Sequence, residues 1–241
     1  MSTDAVGGHY ALLDFNYSLV GWWRMEGNYN DDSGQGNNGA CSSNCPTYTA
    51  SGKFGGAYTF DKTVKQNITV AQSASLDKIR QNMTISAWIK PNAGYGTEFD
   101  DHIDVVSRWG SAGANNAAYL LGVNAGGYVK FFTHNGVSSS RLSSLNTIPT
   151  DEWTHIVGTR DGTSMKVYIN GVLDNTLAAG VTPQASQYNL LIGSEPASMA
   201  FFDGLIDDVV IFNRVLSAGE VASLYNATVN RYDINFTNQV A

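Results

Sequence analysis

Trp153-Thr154-His155-Ile156-Val157-Gly158-Thr159-Arg160-Asp161-Gly162, continuing through Val167-Tyr168-Ile169 to Asn170-Gly171, decides the fold class. An alternating run, an Asp-Gly pair, a second alternating run and an Asn-Gly pair read as a β-hairpin with a further turn. These dipeptides tolerate the positive φ of tight turns, and period-two alternation belongs to a half-buried strand.

Working outward, Phe202-Asp203-Gly204-Leu205-Ile206-Asp207-Asp208-Val209-Val210-Ile211-Phe212 reads as a strand with adjacent acids among apolar residues. Alternation predicts Leu205, Asp207, Val209 and Ile211 on one face, with Ile206, Asp208, Val210 and Phe212 on the other. Met83–Lys90 alternates too: Met83, Ile85, Ala87 and Ile89 oppose Thr84, Ser86, Trp88 and Lys90. Pro91 is expected to end it, because proline donates nothing to a ladder. Trp23, Trp88, Phe60 and Phe212 are expected in the core.

In all, about a dozen short segments of this kind, separated by frequent turn signals, predict an all-β, two-sheet antiparallel jelly-roll sandwich. One short C-terminal helix is expected. Ser217-Ala218-Gly219-Glu220 fits a capping box, and Val221, Leu224 and Tyr225 supply an apolar stripe for packing on a sheet edge. Residues 1–17 read as an N-terminal arm or linker, 18–228 as one domain, and 229–241 as a C-terminal tail or linker.

Composition narrows the partners. The net charge is −7, with no Lys/Arg stripe, which argues against a nucleic-acid backbone. No apolar run approaches the roughly 20 residues of a membrane helix, so no membrane insertion is expected. Cys41 and Cys45 are the only cysteines, and the three residues between them allow a tight disulfide loop. A zinc pair would need two further ligands, and no histidine is near in sequence. A disulfide implies an oxidising setting, extracellular or at a cell surface. Five Asn-x-Ser/Thr sequons occur, too few above chance to argue glycosylation.

Four stretches resemble the LamG-like jelly roll of the concanavalin A-like lectin/glucanase superfamily. They are Leu19–Trp23 with the loop Asp31–Gly39, the Met83–Pro91 strand, the Trp153–Gly171 hairpin, and Phe202–Tyr225. The resemblance implies one concave and one convex sheet, frequent carbohydrate or cell-surface binding, and often a calcium ion. It does not imply catalysis, since the architecture serves glucanases, alginate lyases, lectins and adhesion modules alike.

By that resemblance Asp31, Asn37 and Asp207 match the positions that cluster around calcium, with Glu26 a weaker candidate. Calcium wants six to eight oxygens, which the Asp31–Gly39 loop offers from carboxylates, amides and carbonyls. The competing expectation is an Asx turn at Asp31 and loop N–H groups on Asp207, with no ion. Glu98-Phe99-Asp100-Asp101-His102-Ile103-Asp104 is read as a solvated rim loop, because the closing Glu of the glucanase motif is absent. His155 is read as a half-buried strand histidine holding a neighbour.

For a sugar, the candidates are Tyr95, Phe99, Trp109, Asn115, Tyr128 and His134, aromatic faces and amides of the kind that stack on and bond to sugar rings. Tyr128, Lys130 and Phe132 share a strand face that could line the concave sheet. The leading expectation is a non-catalytic extracellular binding or adhesion module, part of a larger surface protein, recognising glycan or a cell-surface protein, with structural calcium. The alternatives are a polysaccharide hydrolase or lyase on the same fold, and a structural spacer domain.

Overall fold

A computed structural model describes residues 18–98, 101–109, 118–178, 180–195 and 200–226. The N-terminal arm and the C-terminal tail therefore lie outside the described residues, as do Phe99, Asp100 and Asn115. In chain order the strands are β1 (Leu19–Trp23), β2 (Gly39–Ala40), β3 (Thr47–Phe54), β4 (Gly56–Phe60), β5 (Ile68–Val70), β6 (Asn82–Thr97), β7 (Ile103–Arg108) and β8 (Tyr119–Val123). They continue with β9 (Tyr128–His134), β10 (Ser139–Thr147), β11 (Thr154–Asp161), β12 (Ser164–Ile169), β13 (Val172–Ala178), β14 (Leu190–Ile192) and β15 (Phe201–Phe212), then the helix α1 (Ala218–Asn226).

Two sheets result. The first has eight strands in the order β13-β12-β11-β6-β15-β4-β3, with β1 also paired to β15; the second has seven, in the order β10-β9-β8-β7-β14-β5-β2. The strand pairings are antiparallel throughout. The 153–171 hairpin forms as read, with β11 paired to β12 from Ile156–Ile169 to Arg160–Met165 and β12 turning into β13 at Asn170-Gly171. Met83, Ile85, Ala87 and Ile89 join Ile156 and Val167 in the apolar layer between the sheets.

Three expectations fail. Pro91 does not end β6, which runs on to Thr97. Pro91 pairs with Gly204 on one side, while on the other β11 has already ended opposite Ile89, so its missing N–H breaks no ladder. Gly204 takes φ +140°, and a Cβ there would fall 2.3 Å from the Lys90 carbonyl oxygen, so only glycine lets the strands approach.

Asp207 of β15 also departs from the face expected of it. The register of β15 against β6 slips between Asp207 and Val210, and Asp208 takes φ +55°. This β-bulge inverts the alternation. Ile206 and Val209 both point into the inter-sheet core, and Asp207, Asp208, Val210 and Phe212 lie on the opposite side of the sheet. Strict period-two reading had put Asp207 with Val209 and Ile211.

The helix lies on the outer face of the first sheet rather than on an edge. Val221 and Leu224 pack with Leu19, Val157, Tyr168, Val210 and Phe212, and Tyr225 stacks on Trp88 at 5.5 Å between ring centroids. The capping box forms: Ser217 N donates to Glu220 Oε2 at 2.7 Å, and Glu220 N to Ser217 Oγ at 3.3 Å. Trp23, Trp88, Phe60 and Phe212 are all buried, the last of them and Trp88 outside the inter-sheet layer. Cys41 and Cys45 form a disulfide, and Gln66 bonds the Cys45 carbonyl, tying the loop to the connection between β4 and β5.

Candidate functional site

The 31–39 loop is wired around Asp31. Its Oδ1 accepts the amides of Trp22 and Ser33, each at 2.9 Å, and its Oδ2 accepts that of Asn37 at 2.8 Å. The Ser33 bond, two residues along, is an Asx turn. Asn37 donates to the Val20 carbonyl at 2.7 Å and the Ser75 hydroxyl at 2.9 Å, while its Oδ1 accepts the Ser73 hydroxyl at 2.6 Å. Trp23 Nε1 bonds the Asn37 carbonyl at 2.9 Å, which fastens the loop to β1. Asp31 and Asn37 do meet, with their oxygens turned to N–H and O–H donors.

Glu26 and Asp207 act elsewhere. Glu26 Oε2 accepts the Gly56 amide and Asp207 Oδ2 accepts the Phe54 amide, each at 2.9 Å, so both hold the turn between β3 and β4. Among the described residues no group of three His, Cys, Asp or Glu side chains is placed to hold a metal ion. Calcium needs six to eight oxygens converging at about 2.3–2.6 Å. Of the three carboxylates expected to supply part of that shell, Asp31 binds amides of its own loop while Glu26 and Asp207 bind the β3–β4 turn.

His155 is fully buried rather than half-buried, with Nε2 2.7 Å from Ser86 Oγ and its ring beside Trp88. It sits under α1 and packs; it does not face a cleft.

Of the sugar candidates, Trp109, Tyr128 and His134 fall on the outer face of the second sheet. Strand alternation brings Leu120, Lys130, Phe132, His134 and Arg141 to that face, since their alternates Tyr119, Leu121, Val129 and Phe131 fill the core. Trp109 follows β7 and is half-buried; its indole meets His134 edge-on at 5.4 Å and lies 6.4 Å from the His102 ring. His102 in turn sits edge-on to Phe132 at 5.5 Å, and the Arg141 guanidinium rests 5.0 Å above the Phe132 ring.

His134 Nδ1 accepts the Gly136 amide at 2.9 Å, which leaves Nε2 to carry the proton in the neutral ring. Burial, with the Arg141 charge adding to it, holds the His134 imidazole below its ordinary pKa, so it is neutral at pH 7. Lys130 donates to Asp101 at 2.6 Å and to Ser143 at 2.9 Å. Desolvation pushes the Asp101 carboxyl up, but the bonds from Lys130 and Asn124 outweigh it and hold it below its usual range.

The 98–104 segment departs from the solvated rim loop expected of it. Glu98 and Asp101 do lie at the rim, where Glu98 accepts the Ala125 amide at 2.6 Å. His102 and Asp104, however, are buried, with His102 Nδ1 2.7 Å from Asp104 Oδ1. The signal for them was present in the sequence: two residues apart on a strand, they share a face.

Tyr128 is on the same face as His134 but at the other end of β9, beside Thr147. Tyr95 is committed to the fold, its hydroxyl donating to the Ile148 carbonyl at 2.6 Å. Of the six sugar candidates, the structure thus brings together Trp109 and His134. Phe99 and Asn115 lie outside the described residues.

Two antiparallel sheets sharing one apolar layer, with a capped helix closing the far side, define a jelly-roll sandwich. The chain belongs to the concanavalin A-like lectin/glucanases superfamily, whose Laminin_G_3 family model matches residues 61–222. No curated protein matches the sequence.

Among solved structures, the binding domain of paraclostridial mosquitocidal protein 1 superposes with a TM-score of 0.70 at 18% identity, over 89% of this chain and 53% of that one. Domain 4 of AbnA, an extracellular arabinanase from Geobacillus stearothermophilus solved with arabinotriose, gives 0.64 at 19% identity over 86% and 98%. A botulinum neurotoxin type C structure, whose cell entry depends on two ganglioside molecules, gives 0.65 at 17% over 88% and 52%. This chain therefore spans about half of the toxin domains and nearly the whole arabinanase domain. At these identities the likeness establishes the fold.

Proposed function

We propose that this chain is a non-catalytic carbohydrate-binding module that works outside the cell, with its glycan seated on the outer face of the second sheet. The observation that carries the reading is the half-buried Trp109 indole held edge-on by His134 at 5.4 Å. A sugar ring laid on the indole would bury its CH face, and His134 Nε2–H, which has no acceptor among the described residues, would donate to a hydroxyl. The cation Lys130 is already matched by Asp101, which suits a neutral glycan better than an anionic one.

The structural neighbours support this direction, since one was solved with arabinotriose and another concerns ganglioside-dependent entry. The Cys41–Cys45 disulfide supports the extracellular part. A hydrolase would place two carboxylates about 5–10 Å apart across an open groove. On this face Asp104 is instead buried against His102, and Glu98 caps a turn amide at the rim.

A glycan array followed by calorimetry on the Trp109→Ala variant tests the reading. Affinity for the bound glycan should fall about tenfold or more, with the melting temperature unchanged within a few degrees. Undiminished binding by the variant, or no glycan bound by the wild type, would sink it.

A further inference from the structure

A second aromatic surface sits at β3 and β4, the end of the first sheet away from β13, whereas Trp109 follows β7 of the second sheet. Three tyrosines gather there. Tyr29 and Tyr58 lie 4.8 Å apart between ring centroids, and Tyr48 meets Tyr58 edge-on at 5.8 Å. Tyr58 is 5% exposed and Tyr29 half-buried, so these two already close the edge. Tyr48 is left 46% exposed.

The floor beneath Tyr48 is glycine. A Cβ on Gly56 would fall 2.5 Å from Tyr48 Cε2, and one on Gly27 would touch three ring carbons at 3.7–4.0 Å. Gly56 lets the ring settle against backbone, Gly27 lies beside it at ordinary contact distance, and the rest of the ring faces water. On the same floor stands a carboxylate: Glu26 Oε2 accepts the Gly56 amide at 2.9 Å, and Glu26 Oε1 lies 2.5 Å from where a Cβ on Gly55 would be. Asn28 and Asn30 extend the rim with exposed amides, Asn28 Oδ1 holding the Asn30 amide at 2.9 Å.

We infer that Tyr48 and Glu26 form a second sugar-binding platform, separate from Trp109 and selective for a neutral pyranose or furanose ring. The ring's CH face would lie on Tyr48, and adjacent hydroxyls would donate to Glu26. A carboxylate in the site, on a chain of net charge −7, turns away sialylated and uronate sugars. The inference rests on the carbohydrate-binding reading but not on Trp109. Two platforms, one beside each sheet, would let one module hold two glycan chains, raising avidity on a dense surface.

The test titrates the full chain by NMR with arabinotriose and with neutral xylo-, cello- and galacto-oligosaccharides, comparing wild type, Tyr48→Ala, Tyr48→Phe, Glu26→Gln and Trp109→Ala. Tyr48→Ala should abolish one set of ligand-induced shifts, centred on residues 26–30 and 48, and weaken that site about tenfold or more. Tyr48→Phe should keep it, and Glu26→Gln should weaken it several-fold and relax the exclusion of sialyl-lactose. Should Tyr48→Ala unfold, Tyr48→Leu keeps the contact with the glycine floor without the aromatic face and carries the same expectation. If Tyr48 variants bind as wild type while Trp109→Ala does not bind, this platform is overturned and the first site stands. If Tyr48→Ala loses binding while Trp109→Ala binds as wild type, this platform stands and the first site is overturned. No shift with any sugar would overturn both.

Discussion

Trp22 Nε1 donates to Asp208 Oδ1 at 2.7 Å, across 186 residues of chain. The bond joins β1 to the bulge of β15, and the bulge exists because Asp208 adopts φ +55°, a region open to Asp and Asn more than to most side chains. Asp208→Ala should therefore cost about 2 kcal/mol, from the strained φ and from a part-buried indole N–H losing its carboxylate. Asp208→Asn, which keeps both the φ and an acceptor, should cost less than half as much. Urea unfolding of the two variants decides it, and equal losses would contradict the role given to the bulge.

Asp31 gathers the amides of Trp22, Ser33 and Asn37. Asp31→Ala should destabilise the fold by about 2–3 kcal/mol, as expected when several amides lose one charged acceptor. Serine at the same position keeps an acceptor and should recover part of the loss. Thermal melts would show the order wild type, Ser, Ala.

The same geometry bears on calcium. With Asp31 turned to amides and Glu26 and Asp207 on a different turn, millimolar calcium or a chelator should shift the melting temperature by less than about a degree. A rise of several degrees with calcium would mean that loop carbonyls and waters complete a shell the carboxylates do not share.

Asp161 caps the β11–β12 turn. Desolvation pushes its carboxyl up, but bonds from the Thr163 and Ser164 hydroxyls and amides outweigh this and hold it at about 2. Its folded value lies below the unfolded one of roughly 3.9. The stability it contributes is thus complete above about pH 4 and disappears as pH falls through 2. The stability gap between wild type and Asp161→Asn should be constant from pH 7 to 5 and close as pH falls through 2. A gap independent of pH would show that the amide substitutes fully.

The capping box supports α1, whose inner side covers Trp88 and Phe212. Ser217→Ala should lower stability by about 1 kcal/mol, the usual cost of a lost N-cap, and should raise amide exchange in residues 218–221 before it affects β11. Uniform exchange throughout would show that the helix does not loosen separately from the sheets.

Much of this molecule was legible along the chain. The Asp161-Gly162 and Asn170-Gly171 turns, the shared face of Met83, Ile85, Ala87 and Ile89 in β6, and the Ser217–Glu220 cap all appear where the residues predict them. Each is set by neighbours within a few positions, which is the range over which alternation and capping act. Pro91 misled because its effect depends on whether a partner strand still needs its N–H, and β11 stops before reaching it. Asp207 misled because alternation counts residues, and a bulge adds one without marking it. The Trp109–His134 contact joins distant segments of the chain and has no local signature at all.

The sequence by itself determined that this chain is an antiparallel jelly roll with a capped helix, since periodicity, turn chemistry and capping are local and additive. The tertiary structure alone decided which side Asp207 faces, that His102 and Asp104 are buried, and that Glu26 holds the turn beneath Tyr48 rather than joining Asp31. Those outcomes depend on strand register and on how two sheets close over one another. Such pairing is cooperative across the whole sandwich, and no short stretch of the chain encodes it.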